Sequence, residues 1–126
     1  MIYVANAFSL GMLPPAENLI HLMVLPSTAV YVAARLGKTE WQSAVGHAQT
    51  AALFTAALGI EVPPNRISVS LSQRDTLVLG QYIGLRLPEG AASLPEGATI
   101  RWFQITLREA GVFANPVHIL EMEAEK

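Results

Sequence analysis

The chain has 126 residues, 52% hydrophobic and 14% charged, with a net charge of −2 at pH 7, a pI near 5.9 and no cysteine. Its length and composition predict one domain over residues 1–126 with a real core, and the apolar excess points to surface buried against a second copy. The acidic balance argues against general binding to long DNA or RNA but leaves a small anionic ligand open, and the lack of cysteine excludes a disulfide framework or a thiolate metal site.

A cysteine-free chain fits a reducing, cytoplasmic compartment. The N-terminus lacks a basic segment followed by an apolar one, so no signal peptide is expected. The apolar runs are short and broken by His21, Pro26 and Arg35, which argues against a membrane span.

Ile2 to Phe8 reads as a short strand, with Asn6 interrupting its apolar run. Ser9 to Met12 leaves the strand, and Pro14-Pro15 fixes a turn. A buried strand ending in Asn, Ser and Gly can present small polar groups to a ligand at a sheet's carboxyl edge, or can simply be a capped turn. Asn18 to Leu25 reads as a second strand closed by Pro26, with His21 inside it as a partly buried structural residue. Ser27 or Thr28 caps a short helix through Leu36, with Gly37 as its stop, although Thr28, Val30 and Val32 also suit a strand.

Thr39 to Leu58 is the strongest helical stretch. Thr39 and Gln42 have capping-box spacing, Ser43 competes as the cap of a shorter helix, and Gly59 is the natural stop. On such a helix Trp41, Val45, Ala48, Ala52 and Leu53 form an apolar stripe, while Ser43, His47 and Thr50 share another face beside Gly46. Beyond it, Ile67 to Leu71 alternates as a strand, Ser72 to Asp75 is a polar turn, and Thr76 to Leu87 completes a hairpin. Ala91 to Ala98 is a loop and Ile100 to Leu107 a further strand. Val117 to Met122 is a candidate edge strand, and Glu121, Glu123 and Glu125 belong to a solvated terminus. The resulting fold is a small α/β domain, or α+β, with a mixed sheet of about five strands and one or two helices.

Few kinds of chemistry fit. His21, His47 and His118 lack ligand spacing, and no metal site is expected. There is no G-x-S-x-G turn, P-loop or dinucleotide fingerprint, so no cofactor is expected either. What remains suits a phosphodiester. His47 exchanges protons near neutral pH, Arg66 and Arg86 can pair with phosphate, and Glu89 can orient a hydroxyl or the histidine. An ordinary surface turn closed by an Arg86–Glu89 ion pair, worth well under about 1 kcal/mol, is the competing reading.

At these residues the chain resembles the viral ring nucleases, a type III anti-CRISPR family of small α/β proteins. The resemblance rests on VANAFSLGM at Val4 to Met12, SAVGHAQTA at Ser43 to Ala51, Leu58-Gly59, PPNR at Pro63 to Arg66 and RLPEG at Arg86 to Gly90. These pieces fall in the family's order between residue 2 and about residue 107. Each is modest alone, and together they are fairly specific. Gly11 departs from the pattern, since members often carry a second polar side chain there. Ala91 to Ala98 is shorter and richer in proline than the family's usual element, and residues 108–126 form a C-terminal extension without an assigned role.

The resemblance implies metal-independent cleavage of cyclic tetra-adenylate, the second messenger of type III CRISPR systems, in the host cytoplasm. It implies His47, Arg86 and Glu89 as catalytic residues and Asn6, Ser9, Gly46 and Arg66 as substrate-binding ones. It further implies a homodimer, because an isologous pair sets two identical half-sites across a two-fold ring. A protein that sequesters a cyclic nucleotide without cutting it is the alternative, and a regulator that binds protein or DNA is a third reading. The acidic pI and the lack of a basic helix count against DNA.

Overall fold

The computed structural model describes residues 1–15 and 19–109. His118, the candidate strand from Val117 to Met122 and the three terminal glutamates lie outside the described residues. Strand β1 (Ile2–Ala5) pairs in parallel with two strands that follow it far along the chain, β3 (Trp41–Ser43) and β4 (Thr76–Ile83). Strand β5 (Thr99–Glu109) runs antiparallel to β4 and also to β2 (Ile20–Ser27). The sheet order is β2-β5-β4-β1-β3, and two helices, α1 (Ala29–Leu36) and α2 (Ala48–Leu58), complete a small α+β domain with a mixed five-stranded sheet. Among the described residues no helix is long and apolar enough to cross a membrane.

Alternation along the strands builds a core on each face of the sheet. Ile2, Val4, Val78 and Trp102 face the helices and pack with Val32 and Leu36 of α1 and Ala51, Phe54 and Leu58 of α2. Ala5, Leu77, Ile105 and Leu107 face the other way, where Val69 and Leu71 cover them together with Phe8, Met12 and Leu13. Arg35 of α1 donates to the side chains of Gln104 and Thr76, which ties the helix to β5 and β4. Phe54 and Trp102 meet with ring centroids 4.9 Å apart at an interplanar angle of 57°. Gly80 makes this packing possible, because a Cβ there would lie 2.6 Å from Phe54 Cζ and 2.8 Å from Trp102 Cζ3.

Several elements match the sequence reading. Thr28 Oγ1 accepts from Tyr31 N at 3.2 Å and caps α1, which stops at Gly37. Gly59, with φ 71°, closes α2 in the left-handed conformation that glycine adopts without strain. The turn at Ser72 to Asp75 forms, with Asp75 N donating to Ser72 O at 3.1 Å. Ala91 to Ala98 is a loop, and β5 extends the predicted strand at both ends.

Other elements differ. The predicted helix over Thr39 to Leu58 is a strand, a connection and a shorter helix, so neither Thr39 nor Ser43 is its cap. The pairing of Trp41, Gln42 and Ser43 with Ile2, Tyr3 and Val4 overrides local helix propensity. The supposed polar stripe of Ser43, His47 and Thr50 therefore does not exist as one helix face. Pro26 does not end β2 but sits within it, which an edge strand tolerates because a proline there need not donate outward. His21 is exposed on that edge rather than partly buried. Ile67 to Leu71 forms no hairpin with β4. Its alternation reflects burial of Val69 and Leu71 against the sheet, fastened by Leu71 N donating to Met12 O at 2.8 Å. Finally, β1 ends at Ala5 and β4 at Ile83, which leaves Asn6, Ser9 and Arg86 in loops.

Two substitutions test this packing. Gly80→Ala is expected to lower the unfolding free energy by about 1–3 kcal/mol through overpacking, read as a lower denaturant midpoint at unchanged slope. At Asp75, burial raises the carboxyl pKa. Hydrogen bonds from Ser72 N and Oγ and from the Met1 ammonium, 3.2 Å away, outweigh it and hold the group below its usual value. Its stabilisation is therefore present above the ordinary carboxylate range and lost as pH falls through the depressed value. Unfolding curves taken from neutral to acid pH should show a smaller acid loss in Asp75→Asn than in the parent chain.

Candidate functional site

Because β3, β1 and β4 are parallel, their carboxyl ends lie along one edge of the sheet. Open sheets bind ligands at such an edge. Asn6 follows β1, the connection from Ala44 to His47 follows β3, and the loop from Gly84 to Gly90 follows β4. The sequence-predicted site residues on these three connections thus share one end of the domain.

His47 stands at the N-cap of α2 with extended angles, φ −113° and ψ 126°, and its carbonyl accepts from Ala51 N at 2.9 Å. No side chain caps this helix end. Its first-turn amides beside His47 and Gly46 thus keep their capacity to bind an acceptor. The connection leading to His47 is held on both sides. Ala44 N donates to Val4 O at 2.7 Å. On the outer side, Asn65 N donates to Val45 O at 2.7 Å and Asn65 Nδ2 donates to Ser43 O at 2.7 Å. The buried Ser43 hydroxyl donates to Pro63 O at 2.6 Å and accepts from Val45 N at 3.3 Å. Ser43 is thus a clamp inside the fold.

That clamp delivers Arg66. A Cβ on Gly46 would lie 3.7 Å from both Cγ and Nε of Arg66, so the guanidinium arm runs past the glycine that precedes His47. A third segment joins them: Gln49 Nε2, in the first turn of α2, donates to Pro88 O at 2.5 Å and draws the Arg86 to Gly90 loop to the same helix end. His47, Arg66, Arg86 and Glu89 are all exposed. Among the described residues the ion pair within 4.0 Å is that of Met1 with Asp75, so Arg86 and Glu89 do not close the turn on each other. The structure thus groups His47, Gly46, Arg66 and the Arg86–Glu89 loop around one helix terminus.

Asn6 follows β1, which lies between β3 and β4 in the sheet, and Ser9 lies three residues beyond it. Ser9 opens the 3₁₀ turn Leu10–Met12, accepting from Met12 N through its carbonyl at 3.0 Å, and its hydroxyl makes no capping bond. A Cβ on Gly11 would lie 3.7 Å from Ser9 Oγ, so glycine there leaves the hydroxyl uncovered. No hydrogen bond among the described residues links Asn6 or Ser9 to His47, Arg66, Arg86 or Glu89. An open groove of about 780 Å³ lies elsewhere, along β2 and β5, lined by residues that include His21, Gln73 and Arg108. Its polar groups do not converge on the His47 edge, and the chemistry favours the latter. Among the described residues no three His, Cys, Asp or Glu side chains gather to hold a metal ion.

Sequence reasoning missed the roles of Ser43, Asn65 and Gln49. Only Asn65 carried a signal, as a residue with two donors directly before Arg66.

The fold and this edge define a class: a small α+β domain whose polar loops converge at the carboxyl ends of three parallel strands. The chain belongs to the STIV B116-like family, whose profile matches residues 2–109, and so to a family of viral proteins. It is 36% identical over 90 residues to uncharacterized protein 26 of Sulfolobus islandicus filamentous virus (isolate Iceland/Hveragerdi), covering 71% of this chain and 74% of that one. Its fold is similar to that of B116 of Sulfolobus turreted icosahedral virus, with a TM-score of 0.65 at 23% identity, covering 83% of this chain and 97% of that chain.

Ser43→Ala is expected to cost about 1–3 kcal/mol, because the buried Val45 amide and the Pro63 carbonyl lose their partner. Chemical denaturation of the variant beside the parent chain measures it.

Proposed function

We propose that this protein is a metal-independent ring nuclease that cuts cyclic tetra-adenylate into linear di-adenylates with 2′,3′-cyclic phosphate ends, silencing type III CRISPR effectors in the host cytoplasm. The observation that carries this reading is the gathering of His47, Arg66 and the Arg86–Glu89 loop around the uncapped N-terminus of α2. A phosphodiester is the substrate class such a group suits. It combines one proton carrier, two guanidinium groups, one carboxylate and free backbone amides.

The reaction needs little from the protein beyond alignment and charge. The ribose 2′-oxygen attacks the adjacent phosphorus in line while the bond from phosphorus to the 5′-oxygen breaks. Protonated His47 gives its proton to the departing 5′-oxygen. Arg86 stabilises the charge that builds on the phosphoryl oxygens. The 2′-hydroxyl proton goes to Glu89 or to solvent, and Glu89 alternatively holds His47 in orientation. Gly46 and Arg66, with Asn6 and Ser9, hold the nucleotide, and fixing the 2′-oxygen in line is the main entropic contribution.

One ring engaged by two copies constrains the dimer. Both carboxyl edges must face the same ligand, so the two-fold axis runs either along the strands or across their carboxyl ends. An antiparallel continuation of one β2 into another would send the two sites to opposite ends of a joint sheet. The exposed apolar side chains of β2, Met23 at 59%, Leu25 at 53% and Val24 at 50%, supply surface for side-by-side packing.

The test is incubation with cyclic tetra-adenylate in excess EDTA, followed by chromatography. Linear di-adenylate ending in cyclic phosphate is the expected product. Intact ring with stoichiometric protein bound to it would leave a sequestering protein instead, and cleavage only with added metal would overturn the mechanism. His47→Ala should lower turnover by about 10²–10⁴-fold while ring binding is largely kept.

A further inference from the structure

We infer that Gln49 is a positioning residue for this site: it latches the loop that carries Arg86 and Glu89 onto the first turn of α2. The inference rests on the ring-nuclease reading and adds a residue to it. The loop after β4 is held at two carbonyls. At its stem, Tyr82 Oη donates to Leu85 O at 2.5 Å. At its crest, Pro88 O accepts from Gln49 Nε2 at 2.5 Å and from Ala91 N at 3.1 Å. Arg86 lies between these two anchors and Glu89 directly follows the second.

Of these bonds, the Gln49 bond alone reaches outside β4 and its own loop. Tyr82 belongs to β4 and Ala91 to the same turn. Arg86, Pro88, Glu89 and Gly90 are all exposed, so burial does little to hold the crest in place. Pro88 has no N–H, and its carbonyl is therefore the polar main-chain group through which the crest is fastened. Gln49 stands two residues after His47 on a rigid helix. One hydrogen bond thus sets the distance between the proton carrier and the two charged groups that work with it. Without it the same side chains are present, and the arginine and the carboxylate sample the solvent from a loop fixed only at its stem.

Gln49→Met tests this, since methionine keeps the length and the helix propensity and removes the donor. Backbone ¹⁵N order parameters, measured without ligand, should fall at Arg86, Leu87, Glu89 and Gly90 while those of α2 and the thermal midpoint stay put. With cyclic tetra-adenylate, kcat should drop about 10–100-fold with little change in KM, the signature of misplacement rather than lost binding. On an Arg86→Ala background Gln49→Met should slow turnover by a smaller factor than in the parent chain, because part of its effect passes through that arginine. A wild-type chain that leaves the ring intact removes the parent reading and the catalytic role of Gln49 with it. An active wild type overturns the latch alone if the loop order parameters are unchanged, if KM rises at constant kcat, or if the two substitutions multiply.

Discussion

Strand β1 has four residues, and parallel partners hold both its edges. Most of what distinguishes this domain depends on that arrangement. Its alternate residues feed both cores, Ile2 and Val4 toward the helices and Ala5 toward the irregular chain on the other face. Its parallel neighbours force long connections, and these connections carry the polar residues of interest. Parallel pairing also gives the three strands a common direction. Loops separated by some forty residues in sequence then emerge side by side.

Much of the fold was legible where a local rule and the tertiary demand agreed. The threonine before Ala29 and the glycine after Leu36 bound a helix that also had a core to face. The turn at Ser72 to Asp75 was legible for the same reason. The stretch from Thr39 to Ser43 misleads because its composition suits a helix while its partner, β1, lies outside any local window, with Ile2 paired to Trp41. Edge pairing contributes hydrogen bonds that no local window can register. Ile67 to Leu71 misleads in the opposite way. Its period of two is genuine and reports burial on the sheet, but a ladder needs a strand alongside, and β1 and β5 already occupy both edges of β4.

The site was legible as an inventory and not as a geometry. His47, Arg66, Arg86 and Glu89 were identifiable as residue types, and the fold groups them at one helix terminus. Position along the helix changes the meaning of His47. In mid-helix its backbone would be consumed by helical hydrogen bonding, whereas at the N-cap the amides of the next turn stay open. A serine, threonine, aspartate or asparagine there would stabilise the helix by about 0.5–2 kcal/mol. Histidine forgoes that, since its side chain makes no capping bond. The supporting bonds from Ser43, Asn65 and Gln49 were not legible because each reaches a main-chain carbonyl brought near only by the finished fold.

The strand order also governs how the chain is made. Strand β2 ends at Ser27, yet its partner β5 starts only at Thr99. On a ribosome, its exposed run of Leu22, Met23, Val24 and Leu25 must wait while some seventy further residues are synthesised before it gains a neighbour. Pairing across such separations is slow and leaves unpaired strands open to other chains. Over that interval a nascent chain can already join β1 to β3 and seat α1 and α2, while β2 stays bare. The most vulnerable segment during biosynthesis is therefore this edge strand, the last of the five to find its neighbour.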